Sequence, residues 1–183
     1  MSRIKELLKS YEIHIKVPWR QDAAAAQRVI FCIYDQNNEV KLRFMIDEFG
    51  IATRAAGYLW VEFDMTDTFA DWLSGQRYAQ SYFEKPHLLT TVMPKYLDYL
   101  VKEFEQLLIE KQVEENTVVA LKGVGSLFGF IKVRDLVDRL APMVAGRLLV
   151  FFPGSYENNN YRLLDGYDGW NYLAVPLTAD KDI

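Results

Sequence analysis

Two aspartates stand where apolar runs stop: Asp35 after Arg28 to Tyr34, and Asp64 after Tyr58 to Phe63. If both runs are parallel strands, the two carboxylates can approach each other at one edge of a sheet, which is how many Mg²⁺ sites begin. No third ligand follows at a meaningful spacing, and capping of the next helix accounts for either acid equally well. A third feature is Lys122-Gly123-Val124-Gly125, a Gly-rich turn after the apolar run Val118 to Leu121. A phosphate loop would read G-x-x-x-x-G-K-[ST] between a strand and a helix. After the first strand the chain instead offers Asp35-Gln36-Asn37-Asn38-Glu39, whose two carboxylates would repel a triphosphate. In the second turn Gly129 stands four residues after Gly125, not the three of a dinucleotide fingerprint. Glycines that permit a tight turn and close packing are sufficient there.

The remaining reactive types point nowhere specific. His14 and His87 are the only histidines, and neither neighbours a Ser or Cys in a nucleophile setting. Ser126 follows a glycine but lacks the second glycine of a nucleophile elbow. Cys32, the single cysteine, lies within the apolar run Val29 to Ile33 and reads as a buried structural thiol. No catalytic residue, cofactor motif or metal site is therefore expected. A nucleotide- or metal-binding switch or enzyme using Asp35, Asp64 and the Lys122–Gly125 turn stays as the alternative.

The elements that would position these groups are legible in outline. Strands are expected at 28–34, 58–64, 118–122 and 147–152, alternating with helices. The strand at 147–152 is closed by Pro153-Gly154. Continuous apolar strands, unlike alternating ones, suit a sheet covered on both faces. Ile4, Leu7, Leu8 and Tyr11 mark one face of a first helix, and 12–17 leaves helix and edge strand both open. A helix is expected from Glu39 to Phe49, with Val40, Phe44 and also Leu42 and Ile46 inward and Gly50 as its stop. Met65-Thr66-Asp67 caps a helix bearing Phe69, Trp72 and Leu73. Pro94 opens a long one with a stripe from Leu97 to Leu108, and Val133 to Ala145 forms another. Residues 76–93 read as one or two helical turns. Two short strands close the chain, Tyr161 to Leu164 and Tyr172 to Val175, the last of them possible antiparallel edge additions.

The fold class is α/β: three layers, a mainly parallel sheet with helices on both faces, and a P-loop-like topology without a phosphate-binding loop. At 183 residues one domain is the default, with 1–27 an N-terminal extension of uncertain structure.

Half the residues are apolar and a quarter charged, which argues against disorder. The net charge of −4 supplies no basic stripe, so autonomous nucleic-acid binding is not expected. A lone cysteine, a charged N-terminus and no long apolar run fit a cytoplasmic protein off the membrane. Aromatics reach 14%. A large aromatic core explains that surplus, and so does a partner-binding surface. Right-handed crossovers put the turns after 118–122 and 147–152 on one edge. Lys122, Arg134, Tyr156 and Tyr161 would then surround one shallow partner-binding surface.

Several of these segments carry a resemblance. Val119 to Phe130 (with Gly123-Val124-Gly125), Leu136 to Leu140, Leu149 to Tyr156 (with Phe151-Phe152-Pro153-Gly154), Tyr161 to Leu164 and Asn171-Tyr172 resemble the BrxB family of bacterial BREX phage-exclusion systems. Ile30 to Asp35 and Val61 to Asp64 share the likeness, which spans roughly residues 28 to 177. The resemblance implies a component of a defence operon that also encodes an ATPase, a DNA methyltransferase and an alkaline-phosphatase-like protein. It implies action through protein–protein contacts, above all with the phosphatase-like partner, and it carries over no catalytic residue.

Overall fold

A computed structural model describes residues 2–170 and 173–179. Helix α1 (Arg3–Ile15) starts at Ser2, whose Oγ accepts from the Lys5 N–H, and buries Ile4, Leu7, Tyr11 and Ile15. That stripe continues the helical period through the segment left open between helix and strand. The N-terminal segment is thus part of the core, not an extension from it. Strand β1 (Val29–Tyr34) follows with all six residues buried. Helix α2 (Glu39–Ala55) returns to strand β2 (Leu59–Asp64). Helices α3 (Thr68–Ser74), α4 (Ala79–Glu84) and α5 (Met93–Glu110) lead to β3 (Thr117–Lys122). Helix α6 (Val133–Leu140) then leads to β4 (Arg147–Glu157), β5 (Asn160–Leu163), β6 (Gly166–Trp170) and β7 (Val175–Leu177).

The sheet runs β2-β3-β4-β1-β7, and every neighbour in that row is parallel. The sheet is therefore mainly parallel, as expected, with β7 joining β1 in the same sense and not antiparallel. Side-chain alternation splits the interior in two. Phe31, Ile33, Val119, Leu121, Val150 and Phe152 face α3, α5 and α6. Ile30, Cys32, Tyr34, Val118, Ala120 and Phe151 face α1 and α2. Cys32 is fully buried, and desolvation pushes its thiol up, so it serves packing. Among the described residues, no helix is long and apolar enough to cross a membrane.

Four expectations need correction. Helix α2 does not stop at Gly50 but runs on to Ala55. Gly50 is there for clearance, because a Cβ on it would lie 3.1 Å from the Trp60 indole. Its inward face is Leu42, Ile46, Phe49 and Thr53, whereas Val40 and Phe44 point to solvent, Phe44 being 84% exposed. Tyr11 and Thr53 share a buried hydroxyl–hydroxyl hydrogen bond of 2.6 Å, and that pairing sets the helix phase. Helix α6 ends at Leu140 and gives way to a 3₁₀ turn containing Pro142, short of Ala145. Strand β4 does not close at Pro153 either. It leaves the parallel sheet there and continues to Glu157, pairing antiparallel with β5, which pairs in turn with β6. The two strands are joined by a two-residue hairpin in which Asn158 and Asn159 both take positive φ (51° and 62°), a conformation asparagine tolerates. The expected final strand begins at Tyr172, outside the described residues.

Ile46→Ala should therefore cost about 2–5 kcal/mol in chemical denaturation. Phe44→Ala should change stability by no more than about 0.5 kcal/mol, the reverse of what a Val40/Phe44 inward phase requires.

Candidate functional site

Because all strands of the main row are parallel, Asp35, Asp64, Lys122 and Pro153 all stand at one edge of the sheet, where sites in such folds gather. Two arrangements form there.

The first is a polar chain across β2, β3 and α2. The Tyr34 hydroxyl donates to Glu39, and Arg43 Nε donates to Glu39 at 2.7 Å. Arg43 Nη2 reaches Thr66 Oγ1 at 3.1 Å. Thr66 gives both its hydroxyl (2.5 Å) and its N–H (2.9 Å) to Asp64 Oδ1. Lys122 Nζ lies 3.8 Å from Asp64 and 2.7 Å from Glu62, which also accepts from Trp60 Nε1 at 2.9 Å. Burial pushes the Asp64 carboxyl up, but the Thr66 hydrogen bonds and the Lys122 and Arg43 charges outweigh it and leave it below its ordinary value. Burial likewise opposes the charged form of Lys122, yet Glu62 and Asp64 hold it above its usual value. Gly123 makes this closure possible. Its φ is +73°, and a Cβ would fall 2.5 Å from Thr66 Oγ1 and 2.6 Å from Thr66 N.

The second arrangement is a crevice between the ends of β1 and β4. From β1 the chain passes to α2 on one face of the sheet. From β4 it passes to the β5–β6 ribbon, whose Tyr161 and Leu163 join the core on the other face. A cavity of about 250 Å³ opens between them, lined by Tyr34, Asp35, Asn38, Ser155 and Tyr156, with Arg3 of α1 at its rim. The place a phosphate loop would take is closed by Asp35, whose Oδ1 accepts the Asn37 N–H at 2.8 Å as the cap of a 3₁₀ turn.

Asp35 and Asp64 do not converge. Strands β3 and β4 separate them, three strand spacings or roughly 14 Å. Among the described residues, no three His, Cys, Asp or Glu side chains group as metal ligands. Ser126 donates its hydroxyl to the Met65 carbonyl at 2.9 Å, a structural role.

The four expected partner-binding residues do not share one surface. Lys122 belongs to the polar chain on the α2 side. Arg134 sits at the start of α6 on the opposite side, 3.6 Å from Asp138. Tyr156 is half-buried at the crevice and donates its hydroxyl to Asn159. Tyr161 is only 1% exposed, packed on Phe31, Phe152 and Tyr156, so it is a core residue and not a contact residue.

Sequence reasoning missed two features. Asp168 on β6 is buried and accepts the N–H groups of Val133 and Arg134 at 2.7 and 3.1 Å, capping α6 from another element. The only signal was an acid inside the Gly-rich 165–170 stretch. The second is an exposed aromatic patch of Phe128, Phe130 and Tyr167 around an open cavity of about 350 Å³. Phe130 stacks on Phe69 at 4.1 Å, and Lys132 lies over the Tyr167 ring. The aromatic surplus thus serves both the core and the surface.

Fold and site together define a parallel α/β domain whose phosphate-loop position is filled by an aspartate-capped turn. The family model described as BREX protein BrxB matches residues 61–176, more than half of the chain, and the chain belongs to this family. That membership places it in BREX phage defence. The comparisons with curated proteins and with solved structures find no match.

Gly123→Ala should lower stability by about 2 kcal/mol or more in urea unfolding, since it adds strain at positive φ to the collision with Thr66. Asp64 has a folded-state pKa below its unfolded one. Its contribution is therefore present at neutral pH and lost as pH falls through the folded value. Asp64→Asn should accordingly flatten the acid side of the melting-temperature profile, and an unchanged acid limb would contradict this assignment.

Proposed function

We propose that this protein is a non-catalytic contact component of a BREX phage-defence complex. Its partner is another defence protein, the alkaline-phosphatase-like component that the family resemblance implies. The observation that carries this reading is the patch of Phe128, Phe130 and Tyr167. It is large, aromatic and exposed, it rests on Phe69, and Lys132 supplies charge beside it. Aromatic anchors of this kind provide most of the energy at protein interfaces. Gly166 supports the patch, because a Cβ there would press to 2.8 Å on the Phe128 ring.

Copurification with each separately expressed defence protein tests the proposal. The double substitution Phe130→Ala with Tyr167→Ala should weaken capture of the phosphatase-like protein by about 2 kcal/mol or more, roughly 30-fold. It should do so without changing the melting temperature by more than a few degrees. Normal capture by a folded double variant would remove the patch from the interface, and capture of no defence protein by the wild-type chain would sink the reading.

The crevice between β1 and β4 favours a second reading, a nucleotide- or metal-responsive switch or enzyme, because ligands in open α/β sheets settle at that kind of position. A thermal-shift screen with nucleotides and divalent cations separates the two. A shift abolished by Asp35→Ala supports the switch, and no shift leaves the contact role alone.

A further inference from the structure

The opposite edge of the sheet carries an imbalance of charge. Arg147 opens β4 and is only 9% exposed. Its neighbourhood is tightly fixed, because a Cβ on Gly146 would fall 2.0 Å from the Thr117 carbonyl oxygen. The Arg147 guanidinium donates to two backbone carbonyls, Gly146 at 3.1 Å and Arg20 at 3.5 Å, and lies 4.7 Å from the Trp19 ring centroid. Trp19 stacks in turn on Tyr58, with centroids 3.7 Å apart and planes 2° from parallel. A guanidinium has five N–H donors, so two carbonyls leave most of them unused.

A second cation, Arg28, is close enough to act on Arg147 electrostatically, and its Nε is buried with no hydrogen-bond partner. Among the described residues, neither guanidinium meets a carboxylate. Asp22, an acid near Trp19 in sequence, is exposed and paired with Arg20. Burial and the charge of Arg147 both push the half-buried His14 imidazole down, toward its neutral form, so it neither adds a third positive charge nor, as an imidazole, offers a negative one. Burying a charge without a counter-charge is costly, and two together more so.

Arg147, Trp19 and His14 line an open cavity of about 310 Å³, walled further by Ile30 and Leu173. A positive, aromatic-walled cavity with unused donors on a rigid guanidinium matches a planar or tetrahedral oxyanion. We propose that this cavity binds a small-molecule oxyanion, a phosphate or a carboxylate, seated on Arg147 with Trp19 as the wall. Arg28 does not line the cavity and contributes as a nearby second charge acting through the field it shares with Arg147. The site lies at the opposite edge of the sheet from the β1–β4 crevice, and it does not depend on the partner-contact reading.

The experiment uses the whole chain in chloride buffer at fixed ionic strength, with inorganic phosphate in one arm and succinate in the other. The anion that belongs there should raise the melting temperature by about 3 °C or more at saturation. The same anion should raise the His14 imidazole pKa in an NMR titration while leaving His87 unmoved, because it offsets the Arg147 charge. The arm that acts at the lower concentration identifies the oxyanion. Arg147→Met should abolish both effects. Should that variant not fold, Arg28→Gln, at a less buried position, should still weaken binding by about tenfold. Stabilisation by phosphate and succinate no greater than by chloride, an unmoved His14, or an Arg28→Gln chain that responds like the wild type would each overturn the proposal.

Discussion

The rest of the molecule depends on β1 being out of water on both faces and both edges. Its six side chains alternate between two cores, and its backbone pairs with β4 on one side and β7 on the other. A strand in that position cannot tolerate a missing layer, so helices must cover both faces. Tyr11 of α1 and Phe49 of α2 form one cover, and Phe104 of α5 and Leu136 of α6 lie in the other. The crevice beyond Tyr34 exists because the chain leaves β1 and β4 toward opposite covers. Topology, more than any one side chain, places that opening.

The two ends of the sheet treat charge differently. At the C-terminal end the cations of the polar chain are answered within the chain: Arg43 by Glu39, and Lys122 by Glu62 and Asp64. Such a chain of short contacts holds β2, β3 and α2 in fixed relation and leaves little unsatisfied for a ligand. At the N-terminal end, Arg147 faces the Trp19 ring and two backbone carbonyls and Arg28 faces the Ala23 carbonyl, and among the described residues neither meets an acid. The first arrangement reads as structural reinforcement and the second as an incomplete one. Both lie within reach of loops that the parallel strands hold in place.

Much of the fold was legible because its strands announce themselves. Val29 to Tyr34 and Val118 to Leu121 are apolar without interruption, and only a doubly covered sheet explains that. Helix α2 was misphased because Val40 and Phe44 also occur at helical spacing, and the deciding bond, Tyr11 to Thr53, joins residues 42 apart in sequence. Gly50 looked like a stop for a related reason: its clearance from Trp60 is a tertiary fact that local sequence does not encode. Pro153 looked like an end of strand because proline cannot donate to a ladder. It marks the change from parallel to antiparallel pairing instead. The site was less readable than the fold. Asp35 as a cap and Gly123 as a tight turn follow from residue type, but the burial of Tyr161 and the gathering of Phe128, Phe130 and Tyr167 depend on how the β5–β6 ribbon folds back.

The position of β1 also sets an order of events during synthesis. It leaves the ribosome before the other strands of this sheet, whereas its neighbours β4 and β7 follow much later. Over more than a hundred residues of elongation the nascent chain holds a bare apolar strand with no edge partner, a high-contact-order problem that favours slow closure and chaperone engagement. In the same interval the Cys32 thiol, sealed in the finished protein, is open to oxidants and metals. A block to elongation before Leu148 emerges would therefore leave a sticky, redox-sensitive fragment in place of a folded domain.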